Sequence, residues 1–99
     1  MRKFNLTTHA KAAMAWRGIT GPQVALAINA SDPVRYVEDG EVILVFQTYL
    51  AGEFYPLRVT AVEINAGRRL LVKSACWKDK PAPEGPMPTK PPEGWSAWD

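Results

Sequence analysis

Apolar positions along the chain recur first at helical spacing and then at strand spacing. Ala10, Ala12, Ala13 and Ala15 give the stretch His9 to Trp16 a high helix propensity. Ala10 and Met14 lie four apart on one face, and Ala12 and Trp16 on a neighbouring one. Thr8 ahead of them offers a hydroxyl to a free first-turn amide. Gly18 behind them suits the left-handed conformation that ends helices. A second helix opens at Thr20-Gly21-Pro22-Gln23, a capping-box pattern, with Ile19 and Val24 placed to form a hydrophobic staple. Its buried stripe is Val24, Ala27 and Ile28. Asp32-Pro33 closes it, because the residue before proline disfavours the helical region. Ahead of both helices, Phe4 to Thr7 reads as a short edge strand or an extended lead-in.

From Val34 the period changes. Val34 to Glu38 and Glu41 to Leu50 flank Asp39-Gly40, a strong two-residue hairpin signal. That turn sets Glu38 opposite Glu41, a like-charge pair that favours a looser loop. Val42 to Phe46 is apolar on both faces and belongs inside a sheet. Ala51-Gly52-Glu53 turns the chain. Tyr55 to Ile64 alternates, with Leu57, Val59 and Ala61 on one face and Arg58 and Thr60 on the other. Asn65 to Arg69 turns again, and Leu70 to Trp77 is the last strand. The predicted fold is α+β, with two N-terminal helices packed on a three- or four-stranded antiparallel sheet. Met14, Trp16, Val24, Ile28, Val42, Leu44, Val59 and Val72 should be largely buried.

Composition changes this picture after Lys80. Six of the twelve residues from Pro81 to Pro92 are proline, which favours polyproline II and excludes a helix or a central strand. The chain therefore divides into a small α+β domain, residues 1–80, and a proline-rich tail, residues 81–99. Trp95 and Trp98 give the tail two large apolar anchors. They can seat it on this domain, or on a second copy as a homodimer exchanged through the tail. Charge divides at the same point. Residues 1–80 hold eleven Lys and Arg against seven Asp and Glu, a balance of +4, and the tail holds one Lys against three acids, a balance of −2. No apolar run approaches the roughly 18 residues of a membrane span. Asn5, Thr7, Thr8 and His9 interrupt any leader behind Arg2 and Lys3, so the expected location is cytoplasmic, with no membrane partner. The single cysteine, Cys76, allows no intrachain disulfide and reads as a small buried hydrophobe. With one histidine and one cysteine, neither a metal site nor a cofactor is expected.

The segment Thr8 to Thr20 resembles the opening of the domain-of-unknown-function family 4258, a group of small microbial proteins. His9, Ala10, Met14, Arg17, Gly18, Ile19 and Thr20 match its signature, and Asp39-Gly40 falls where that family turns its first hairpin. Ala13 stands where the family has an arginine. The resemblance covers roughly residues 5 to 78. The family's helix-helix-sheet layout is similar to the RelE/ParE/BrnT class of toxins, many of which are endoribonucleases acting through basic and aromatic side chains on a sheet face. The resemblance implies RNA as a possible substrate and a cognate antitoxin-like protein as a possible partner.

RNA cleavage without a metal needs a base, an acid and cations for the phosphorane charge. Histidine is the residue type that exchanges protons near neutrality, and His9 is the only one. It either serves chemistry or fixes the strand-to-helix corner by donating to a backbone carbonyl. Arg17, eight residues on and about 12 Å along the helix axis, either joins it or caps the helix C-terminus. Arg58, Lys73 and Arg35 can line a phosphate-binding sheet face or be solvated charges. Whether Arg58 and Lys73 share a face depends on the register of the last hairpin, which a one-residue slip reverses. Tyr36, Tyr49 and Tyr55 can stack on bases or pack in the sheet. Three functions fit: a toxin-like endoribonuclease with His9, Arg17, Arg58 and Lys73 as its catalytic set, a non-catalytic module that binds RNA or a cognate protein, and a protein-interaction module that docks through its tail.

Overall fold

In the computed structural model, which describes residues 3–97, the first element is a strand. Strand β1 (Lys3–Leu6) precedes helices α1 (Thr8–Arg17) and α2 (Gly21–Ala30). Strands β2 (Val34–Glu38), β3 (Glu41–Thr48), β4 (Leu57–Ile64) and β5 (Arg69–Trp77) follow. Their order across the sheet is β1-β5-β4-β3-β2. The last four strands form an antiparallel meander, as their short connections require. Strand β1 adds to β5 in parallel, with Lys3 opposite Arg69 and Leu6 opposite Val72. The sheet is thus mixed and five-stranded, one strand beyond the three or four antiparallel ones expected. A parallel neighbour needs a long crossover, and here the helix pair and the rest of the meander supply it.

The helix ends follow the sequence closely, with one correction. Thr7, not Thr8, caps α1: its backbone is extended and its Oγ1 accepts from the Ala10 amide at 3.0 Å. Thr7 also donates its own N–H to Val72 O at 3.2 Å, so one residue ends the β1 ladder and opens the helix. Gly18 closes α1 at φ 71°, and Ile19 N–H reaches back to Met14 O at 2.9 Å. Both halves of the capping box at α2 are present, with Gln23 N–H to Thr20 Oγ1 at 3.3 Å and Thr20 N–H to Gln23 Oε1 at 3.0 Å. The staple residues Ile19 and Val24 are both buried.

Both helices cover one face of the sheet, α1 against β5 and α2 against β3 and β4. That face carries Leu44, Phe46, Leu57, Val59, Ala61, Leu70, Val72, Ala75 and Trp77, all buried. Each large side chain fully buried there contributes about 1.5–3 kcal/mol. Opposite them, Ala10, Ala13 and Met14 are completely buried, so alanine lets α1 approach closely. Two expected core residues are only half-buried. Trp16 lies in the last turn of α1, under the Arg17 guanidinium at 5.6 Å. Val42 packs against the core but stands beside the exposed Val37, one residue from the end of its strand.

The first hairpin keeps the tight turn. Asp39 at φ 51° and Gly40 at φ 77° occupy both left-handed positions of a two-residue loop. Glu38 does face Glu41, and both are exposed, so water screens the repulsion that was expected to loosen the turn. The last hairpin contains a bulge. Thr60 faces Ser74 but Ala61 faces Val72, which leaves Lys73 as the extra residue. Burial on β5 runs through Leu70 and Val72 and then Ala75 and Trp77, so Lys73 and Ser74 both lie away from the helices.

The tail returns to the domain. Trp95 packs against the core, and Ala97 is buried with its carbonyl accepting the Gly21 amide at the start of α2. That bond satisfies one of the donors a helix N-terminus leaves open. Residues 79–86 are exposed along the way. The second anchor, Trp98, lies outside the described residues.

Candidate functional site

Strand β5 outlasts its neighbour. Strand β1 pairs only with Arg69 to Val72 and then departs into α1. From Ser74 to Trp77 that side of β5 has no strand beside it among the described residues. Arg17, in the last turn of α1, reaches into the gap and donates from Nη1 to Ala75 O at 2.8 Å. Trp77 answers with Nε1 donating to Arg17 O at 3.1 Å. The two bonds lock the end of α1 to the free edge of β5, with the Trp16 ring supporting the guanidinium.

Arg58 approaches from the sheet face away from the helices. It stands between Gln47 on β3 and Cys76 on β5, and its Nε donates to Gln47 Oε1 at 3.2 Å. Beyond Trp77 the chain turns sharply, with Lys80 N–H bonded to Trp77 O at 3.3 Å and Asp79 at φ 67°. Lys78 N–H to Pro56 O, at 2.8 Å, ties the turn to the chain ahead of β4. These groups surround a cleft of about 440 Å³, walled on its far side by the first tail residues, Pro81 to Pro83. Among the described residues, its lining holds Arg17, Arg58, Lys78 and Lys80 against Asp79. Lys78 and Asp79 lie 4.0 Å apart, both solvent-accessible, so they neutralise each other weakly.

Of the four residues proposed from sequence, the structure brings Arg17 and Arg58 to this cleft. His9 is exposed in the first turn of α1, at the opposite end of the helix from Arg17. Lys73 is exposed at the bulge, on the same face as Arg58 but outside the cleft lining. The bulge thereby answers the register question: the two cations do share a face. Arg35 points to the helix side, 4.0 Å from Glu63. Tyr36 and Tyr49 are exposed, while Tyr55 packs on the core with Phe54 edge-on at 5.3 Å.

Lys78 and Lys80 were missed by sequence reasoning. The available signal was the Lys-Asp-Lys cluster between the last strand and the first proline, since a short charged turn there must sit at a sheet corner. Cys76, read as a buried hydrophobe, is half-buried and lines the cleft. Among the described residues, no cluster of three or more His, Cys, Asp or Glu could hold a metal ion. No protein-family model, curated protein or solved structure matches the chain.

Proposed function

We propose that this chain is an RNA-binding domain of the RelE-like class that holds the phosphate backbone of a single strand in the cleft at the end of β5. The observation that carries this reading is the cleft's charge, four cations against one carboxylate, in a chain whose formal net charge is only +2. Guanidinium groups match phosphate oxygens with paired donors. Arg17 and Arg58 are each held by one hydrogen bond to the protein, which lowers the entropy lost when they engage a ligand. Lys78 and Lys80 add mobile charge at the rim. The polar positions Gln47, Thr60, Lys73 and Ser74 lie on the same sheet face as Arg58 and give a strand leaving the cleft a surface to follow.

Binding is favoured over cleavage because the cleft lining contains no histidine, and His9 sits two helical turns from Arg17. In this reading the protein acts in the cytoplasm, and an acidic antitoxin-like partner would compete for the same cleft. No helix among the described residues is long and apolar enough to cross a membrane. The reading that assigns protein contacts to the tail is weakened by Trp95 and Ala97, which are taken up by this domain's own core.

Fluorescence anisotropy with a labelled single-stranded RNA, run without metal and followed by a gel of the same samples, tests the proposal. The expected result is saturable binding of intact RNA, weakened about tenfold in Arg58→Ala, equivalent to about 1.4 kcal/mol. No binding by the parent protein overturns it. Cleavage that disappears in His9→Ala would establish the endoribonuclease instead.

A further inference from the structure

Among the described residues, β2 is an edge strand with no further strand paired to its outer side. All five residues from Val34 to Glu38 are exposed, and Val34 at 67%, Val37 at 64% and Tyr36 at 43% are large apolar side chains. The tight turn fixes which backbone groups face outward. With Asp39-Gly40 as the loop, Glu38 and Glu41 form the hydrogen-bonded pair next to it, so Tyr36 and Val34 also bond to β3. Arg35 and Val37 therefore aim their N–H and C=O groups away from the sheet. Native proteins blunt such edges with charged side chains, lysine above all, with an internal proline, a bulge or a covering segment. Strand β2 has no lysine or internal proline, its pairing with β3 is unbroken, and Pro33 stands just outside it; of its two charges, Arg35 lies 4.0 Å from Glu63 of its own sheet and Glu38 sits at the end of the strand.

We propose that β2 pairs antiparallel with β2 of a second copy, joining the two sheets across a twofold axis. The strand is self-complementary in one register. An isologous contact of this kind sets one residue opposite its own symmetry mate. With Tyr36 at the centre, Arg35 of each copy faces Val37 of the other, and every outward N–H and C=O of the two strands finds a partner. The ends place Val34 opposite Glu38, and no like charges meet. Centring on Arg35 would oppose two guanidinium groups, which is destabilising. Centring on Val37 would draw in Asp39, whose φ of 51° takes it out of the extended conformation. The Tyr36 register also has an apolar continuation. Tyr36 lies in a row with Ile43, Val62 and Leu71 across the sheet face away from the helices, so the tyrosine pair joins the two rows into one. This surface lies at the far edge of the sheet from β5 and is independent of the RNA reading.

A five-residue strand contact is small, so the association should be micromolar or weaker. Sedimentation velocity of the full chain from about 5 to 500 µM covers that range. The expected result is a concentration-dependent dimer. Tyr36→Lys should abolish it by setting like charges on the closest pair, with circular dichroism and the thermal midpoint unchanged. The register has its own readout. In a Cys76→Ser background, Tyr36→Cys should oxidise to a covalent dimer, because directly opposed Cβ atoms approach disulfide range, whereas Val34→Cys should not. A monomer throughout the range overturns the proposal, as does a dimer that survives Tyr36→Lys. Equal crosslinking at positions 34 and 36 overturns the register.

Discussion

Two strand edges of this sheet face the same physical problem and resolve it differently. An edge exposes backbone donors and acceptors that water or another group must satisfy. At the free end of β5 the chain uses a side chain: Arg17 donates to Ala75 O, and Trp77 returns a hydrogen bond to Arg17 O. The by-product is concentrated positive charge, to which Arg58, Lys78 and Lys80 add. At β2 nothing from the described chain covers the edge, and its side chains are largely apolar. In the readings proposed above, the first edge receives an anion and the second a strand. What already satisfies an edge's backbone thus bears on which ligand that edge can take.

The largest test of this contrast is removal of the tail. Truncation after Lys80 takes away the cleft wall at Pro81 to Pro83, the half-buried Trp95 and the buried Ala97. It should lower unfolding free energy by about 3 kcal/mol in urea titrations, given roughly 1.5–3 kcal/mol for a large buried side chain plus the lost cap on Gly21. An unchanged midpoint would show that the tail contributes nothing to the cleft side of the fold. Next comes Arg17→Ala, which deletes the bond to Ala75 O at a partly buried position. A cost of about 1–2 kcal/mol is expected, together with weaker RNA binding, whereas a solvated charge would cost almost nothing. Smaller again is Gly40→Ala on the β2 side. A Cβ there meets no atom within 4 Å, so the penalty is purely that of φ 77° and should be about 1 kcal/mol by thermal unfolding. A larger loss would mean that the β2–β3 hairpin depends on more than its turn.

Much of the fold was legible because each local signal had a local cause. Gly18, the Thr20–Gln23 box and Asp39-Gly40 each specify a turn or cap within four residues, and the structure contains all three. What the sequence concealed was nonlocal. The alternation in Phe4 to Thr7 is compatible with a strand but carries no information about its partner, so the parallel pairing with β5 could not be read. The Lys73 bulge was hidden because strand periodicity on either side of it looks normal; only the change of phase between Val72 and Ala75 marks it. Choosing Thr8 over Thr7 as the cap failed for a related reason, since Thr7's role in the β1 ladder depends on Val72. For the site, Arg17 and Arg58 could be named as cations, but their meeting depends on β5 extending past β1, a consequence of that same concealed pairing.

Whether the end of β5 is a phosphate-binding cleft shows best in the salt dependence of RNA affinity. Single strands show a log–log slope of about −0.7 per neutralised phosphate, so three or four contacts give about −2 to −3 between roughly 50 and 300 mM salt. The double variant Lys78→Ala/Lys80→Ala should keep its fold and flatten the slope by about 1 to 1.5. A slope identical in parent and variant would place the RNA elsewhere and rule out the cleft as its binding site.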